Sequence, residues 1–127
     1  GYALGSEELI GIMRKCSASW NLNVCAQKAA VAGLADQEYY QEQKAKIVEG
    51  REYLEKEMAA LGCRVYPSQS NFIYFDTGKD PAWIQEQLMK KGIRIGAFEM
   101  SRVSVGTMEE CQLFLQYLKE ILEPAKE

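Results

Sequence analysis

Between Gln37 and Leu61 one stripe of the chain carries Tyr40, Ile47, Leu54 and Met58, in step with Lys44 and Arg51, while the rest of the segment is mainly charged. Apolar residues at such spacings describe an amphipathic helix that covers a core on one side only. The stripe is too short and too interrupted for a coiled-coil seam, so the helix is expected to lie on a sheet. Gly62 follows where a left-handed residue closes a helix C-terminus. Arg64-Val65-Tyr66 and Asn71-Phe72-Ile73-Tyr74-Phe75 then read as two strands, and the turn Pro67-Ser68-Gln69-Ser70 between them makes an antiparallel pair.

The flanking segments fit the same layered arrangement. Tyr2-Ala3-Leu4 reads as the end of a strand, and Ser6 as the cap of a helix with Glu7 and Glu8 in its first turn and Leu9, Ile10 and Met13 on its apolar side. After a polar break from Cys16 to Asn23, an alanine-rich helix is expected from Val24 to Leu34, and Asp36 restarts the chain into the long helix. Asp80-Pro81 opens another helix with Trp83, Ile84, Leu88 and Met89 on its apolar face, and Gly92 ends it. Ile93-Arg94-Ile95 is a third strand candidate and Ser101 to Val105 a fourth. Thr107 caps a last helix from Met108 to Leu122, with Cys111, Phe114, Leu115, Leu118 and Ile121 on one side, and Pro124 closes it. Helices set against a small, mainly antiparallel sheet make an α+β two-layer sandwich.

Composition narrows the chemistry. A net charge of -3 offers no general attraction to nucleic acid or to an anionic membrane. No apolar run approaches membrane-spanning length and no signal pattern opens the chain, so a cytoplasmic setting is expected. The absence of histidine removes every Ser-His and Cys-His nucleophile arrangement. Cys16, Cys25, Cys63 and Cys111 are scattered among apolar neighbours, which argues against zinc and a disulfide framework and for four buried free thiols. The chain starts at Gly1 rather than Met, inside an apparent strand, and is read as a piece of a longer protein.

Ser101-Arg102-Val103-Ser104-Val105-Gly106-Thr107 holds the candidate site. Strand alternation puts Arg102 and Ser104 on one face and Val103 and Val105 on the other, so the apolar face packs while a guanidinium fork is presented on a rigid element. Such a fork binds a carboxylate or phosphate bidentately. From the pattern alone a solvated surface arginine is the simpler reading.

Arg102-Val-Ser-Val-Gly-Thr with Glu109-Glu110 behind it resembles the C-terminal signature of fold-type-I pyridoxal-phosphate aminotransferases, closest to the histidinol-phosphate aminotransferase group. Gly1-Tyr2-Ala3-Leu4-Gly5 resembles the segment after that family's cofactor-binding lysine. Asn21 to Ala30 and Pro67-Ser68-Gln69-Ser70-Asn71-Phe72 continue the likeness in order. The resemblance implies that residues 1–35 are the end of a large domain with its connecting segment, and residues 36–127 the C-terminal small domain. It implies pyridoxal 5'-phosphate as cofactor of the parent enzyme, amino acid and 2-oxo acid substrates, an upstream large domain, and a homodimer.

Arg102 matches the arginine that holds the substrate carboxylate, a grip that orients the bond to be broken. The group usually carries a second arginine where this chain has Gly96, and Arg94, two residues earlier on the same expected strand, is a substitute candidate for substrate binding. The loop Ala97-Phe98-Glu99-Met100 is also shorter than the family's. Asn71 and Tyr2 match the family but read as turn and packing residues. The Schiff-base lysine, the phosphate-gripping arginine, the pyridinium aspartate and the tyrosine near the cofactor oxygen would all precede Gly1, so no catalytic or cofactor-binding residue is assigned here, and this piece is expected to bind no cofactor. The alternative is a non-catalytic α+β module that binds an acidic small molecule.

Overall fold

Residues 3–18 and 21–123 are described in a computed structural model. Tyr2 and Pro124 lie outside the described residues. The chain divides into two units, Gly1–Tyr40 and Gln41–Glu127.

In the first unit, short polar side chains start each helix by accepting an orphan backbone N–H. The Ser6 hydroxyl accepts from the Leu9 N–H at 3.3 Å to open α1 (Glu7–Cys16), and Asn23 Oδ1 accepts from Ala26 at 2.8 Å to open α2 (Val24–Ala35). Asp36 ends α2 through its own N–H on the Ala32 carbonyl, and starts α3 (Gln37–Ala60) by accepting from Tyr39 at 3.2 Å. Ala3 and Leu4 form no strand, contrary to expectation. No residue of α1 or α2 is buried, so Cys16 and Cys25 are exposed thiols and the expectation of four buried ones is corrected. Apolar neighbours in sequence bury a residue only where another element packs on that face.

The second unit is built on a sheet of β1 (Arg64–Tyr66), β2 (Phe72–Asp76), β3 (Gly96–Ala97) and β4 (Ser101–Ser104) in the order β1-β2-β4-β3, every pair antiparallel. The register sets Val65 opposite Phe75, Ile73 opposite Val103, and Phe75 opposite Ser101. Those residues face the helices. The core they share contains Leu54 and Met58 of α3, Ile84 and Leu88 of α4 (Pro81–Lys90), and Cys111, Phe114, Leu115 and Leu118 of α5 (Met108–Leu122). Phe75 and Phe114 meet edge to face at 6.0 Å between centroids. The expected α+β two-layer architecture is therefore found, with α3, α4 and α5 on one face of the sheet.

Three details differ from the sequence reading. On α3 only the C-terminal half is buried: Tyr40 is 55% exposed, whereas Gly50 and Arg51 join Leu54 and Met58 inside. On α4 the buried pair is Ile84 and Leu88, one turn apart, while Trp83 and Met89 flank the stripe and stay exposed. Residues 93–95 form no strand, because their backbone groups are already used. The Ile93 N–H closes the end of α4 on the Leu88 carbonyl at 3.0 Å, and the Ile95 carbonyl accepts from Gln85 Nε2 at 2.6 Å. Pairing with β4 begins only at Gly96.

Left-handed glycines close both helix ends that lead into the sheet: Gly62 has φ +83° and Gly92 φ +81°. At that φ a side chain would clash with the following carbonyl, so glycine is the residue that stops α3 and α4 without strain.

Candidate functional site

The face of the sheet opposite the helices carries Phe72, Tyr74, Arg102, Ser104 and Gly96, placed by the two-residue alternation of β2, β3 and β4. Arg102 lies opposite Tyr74 on one side and Gly96 on the other. Its guanidinium carbon is 5.1 Å from the centroid of the Phe72 ring and 5.2 Å from that of Phe98. Each ring attracts the cation by about 0.5–1 kcal/mol at a partly exposed site. Phe72 is itself set edge to face against Tyr74 at 5.7 Å.

Rings offer no lone pair, so they orient the guanidinium without consuming its N–H donors. Among the described residues no carboxylate pairs with Arg102; the ion pairs are those of Lys46, Lys56, Lys90, Lys91 and Lys119. A half-buried cation with an unused donor fork has the geometry to receive a planar anion.

Two neighbours keep β4 and β2 in place. The backbone N–H of Val105 donates to the Asn71 carbonyl at 2.8 Å, extending the β2–β4 ladder by one rung beyond the strands. The Pro67–Ser70 turn is held by Ser68, whose hydroxyl donates to the Phe72 carbonyl at 2.6 Å and accepts from the Ser70 N–H at 3.0 Å. Asn71 contributes its backbone carbonyl to the ladder, and its side-chain Oδ1 accepts from the Ser70 hydroxyl at 3.4 Å, while the shorter bonds that hold the turn are those of Ser68.

From α3, Arg51 donates to the Ser70 carbonyl at 3.3 Å and Glu55 accepts from the Ser68 N–H at 3.2 Å. Arg51 is only 9% exposed, and it fixes the turn that leads into Phe72. Its place on the apolar stripe of α3 was the available signal.

The C-terminal end of β4 leads into the cap of α5. Thr107 accepts from the Glu110 N–H at 3.3 Å and its own N–H donates to Glu110 Oε2 at 2.8 Å, a reciprocal capping box. Hydrogen bonds from its own N–H and from Thr107 hold the Glu109 carboxyl below its ordinary range. Burial pushes the Cys111 and Cys63 thiols up.

Arg94 is exposed and lines a cavity of about 380 Å³ with Leu54, Val103, Ser104, Glu110 and Phe114. Arg102, Phe72 and Phe98 are not among the residues lining it. With no strand at 93–95, the alternation that would set Arg94 on the face of Arg102 has nothing to act on. Among the described residues every lysine is exposed, on helices or loops. The described residues hold no cluster of metal-ligating side chains, and none of their helices is long and apolar enough to cross a membrane.

The second unit is an α+β sandwich that presents one ring-flanked arginine on a sheet face. The chain belongs to the aminotransferase class I and II family, whose profile matches residues 1–118. It is 31% identical over 128 residues to the histidinol-phosphate aminotransferase of Moorella thermoacetica, covering 96% of this chain and 33% of that protein. Among solved structures, the histidinol-phosphate aminotransferase from Sinorhizobium meliloti in complex with pyridoxal-5'-phosphate matches with a TM-score of 0.64 and 32% identity, over 74% of this chain and 28% of the other. The histidinol-phosphate aminotransferase from Clostridium acetobutylicum matches with a TM-score of 0.74, over 91% of this chain and 38% of the other. Its identity of 22% speaks for the fold alone. The chain spans about a third of the length of the curated relatives it matches.

Proposed function

We propose that this chain is the substrate-carboxylate-binding part of a pyridoxal-phosphate-dependent aminotransferase that moves an amino group from an amino acid to a 2-oxo acid. The observation that carries the reading is Arg102, held between two rings on β4 with no carboxylate partner among the described residues. Two parallel N–H donors from one planar group stop rotation of a bound carboxylate as well as holding it. That restriction matters because catalysis gains most from a reactant already held in reacting geometry.

In this reading residues 1–35 end a large domain and its connecting segment, and residues 36–127 are the small domain. The cofactor, the lysine that carries it and the groups that tune it belong to the large domain, and this chain contributes none of them. The full-length enzyme is a cytoplasmic homodimer, and histidinol phosphate, named for the relatives, is one substrate to test. Arg102 is assigned to the substrate. Arg94, on its separate cavity, is a second contact only if domain closure brings the ligand to it.

The test is Arg102→Ala in the full-length enzyme. Losing a desolvated charge pair costs about 2–5 kcal/mol in transition-state terms, so kcat/KM for amino donors should fall by at least about 30-fold. An unchanged kcat/KM for every donor would sink the assignment.

A further inference from the structure

The site at Arg102 is asymmetric in chemistry, and the asymmetry comes from Gly96 and Phe98. The β3–β4 hairpin turns through Phe98, Glu99 and Met100, closed by the Phe98 N–H on the Met100 carbonyl at 3.1 Å. The turn returns the Phe98 ring over the sheet beside Arg102. Gly96 is the register partner of Arg102, and a Cβ at Gly96 would lie 2.8 Å from Cε2 of Phe98 and 3.5 Å from Cβ of Arg102. Gly96 is not among the left-handed glycines. It is therefore glycine for space, and the space is filled by the Phe98 ring.

Resting on the reading above, we infer that Phe98, seated over the bare Cα of Gly96, makes this site select substrates that pair one carboxylate with an uncharged apolar side chain, aromatic side chains best. Phe98 is 60% exposed, so much of the ring is left for a ligand held by Arg102 to cover. Of the other side chains set on this face beside the arginine, Phe72, Tyr74 and Ser104 are uncharged, and Asp76, the second diagonal neighbour on β2, is an acid whose Oδ1 accepts from the Gly78 N–H at 2.7 Å. Arg64, the next cation on the sheet, belongs to the outer strand β1 and is held over Tyr66 at 5.2 Å. A second anionic group on the ligand would meet the negative faces of aromatic rings and lose its hydration without gaining a cation. An aromatic or aliphatic side chain loses nothing and covers the exposed ring.

The experiment is donor selectivity in the full-length enzyme, comparing L-phenylalanine, L-glutamate and histidinol phosphate in wild type, Phe98→Ala, Phe98→Tyr and Gly96→Ala. Phe98→Ala should lower the phenylalanine-to-glutamate ratio of kcat/KM about ten-fold, the order of one lost aromatic pair, with the loss carried by KM. Phe98→Tyr should restore most of the ratio, and Gly96→Ala, which pushes the ring aside, should reproduce the loss.

A second readout is independent of turnover: the Nε–Hε resonance of Arg102, shifted by the flanking rings in wild type, should move in Phe98→Ala and Gly96→Ala. Unfolding midpoints close to wild type are expected for both, since the ring is largely exposed. If Arg102→Ala raises KM while Phe98→Ala leaves the donor ratio and the Arg102 resonance unmoved, this inference falls and the aminotransferase reading stands. If no donor is transaminated, or Arg102→Ala changes nothing, both fall.

Discussion

Gly50 sits inside α3, where glycine costs about 0.5–1 kcal/mol relative to alanine, so Gly50→Ala would stabilise the helix if propensity decided the outcome. Packing decides it instead. A Cβ at Gly50 would lie 2.9 Å from Cγ1 of Val105, 3.6 Å from the Cys111 sulfur and 3.7 Å from the Gly106 carbonyl. Val105 follows the Arg102 strand and its backbone is tied to Asn71, so it has little room to retreat. Overpacking of this kind costs about 1–3 kcal/mol. The net effect is a loss of about 1 kcal/mol, or roughly 4–8 °C in Tm for a unit of this size.

Urea unfolding followed by circular dichroism should show a lower midpoint at unchanged slope. Gly33 supplies the internal control, because a Cβ there meets nothing within 4 Å and Gly33→Ala should raise helicity in α2. Adding Val105→Ala to Gly50→Ala should recover part of the loss as a coupling energy. A Gly50→Ala protein as stable as wild type, or more so, would refute the reasoning.

The helices and the antiparallel pairing of β1 with β2 were largely legible in the sequence because each depends on local chemistry. Ser6, Asp80 and Thr107 read as caps since their short side chains can reach only the first-turn N–H groups, and each does so. Gly62 and Gly92 read as stops because their sites demand a positive φ. Arg102 and Val103 fell on opposite faces as the strand period requires.

What failed depended on partners far away in sequence. Ile93-Arg94-Ile95 has strand composition, but the side chain of Gln85 and the C-terminus of α4 claimed its backbone groups first. The apolar neighbours of Cys16 and Cys25 gave no warning that no residue of their helices is buried. The candidate site was half legible in the same sense. The arginine could be placed on a face, whereas Phe72 and Phe98 come from a diagonal neighbour and a hairpin turn, whose positions only the register fixes.

Cys16 and Cys25 should react with a thiol reagent at once at neutral pH, while Cys63 and Cys111, buried and with their thiols pushed up, should wait for unfolding; four equal rates would contradict the burial. Thr107→Ala removes half of the capping box and should cost about 0.5–2 kcal/mol by chemical denaturation, and Thr107→Ser should restore most of it. Glu120 is held below the ordinary carboxylate range by hydrogen bonds from Lys91 and Gln116, so its contribution is present above that range and is lost as pH falls through the lowered value. Glu120→Gln should therefore flatten the acid limb of the stability curve below about pH 4 and leave the neutral limb less changed.

The last prediction concerns the 127-residue chain by itself with pyridoxal phosphate. An aldehyde combines with any accessible amine, but a single stoichiometric adduct needs one amine desolvated beside groups that hold the rest of the molecule. The described lysines are all exposed, so adducts should be weak, spread over several positions and fully competed by free lysine. Absorbance titration, borohydride trapping and peptide mapping read this directly. A saturable one-to-one band that maps to one lysine would mean that the cofactor site lies within this chain, and the assignment of Arg102 to substrate rather than cofactor would have to be withdrawn.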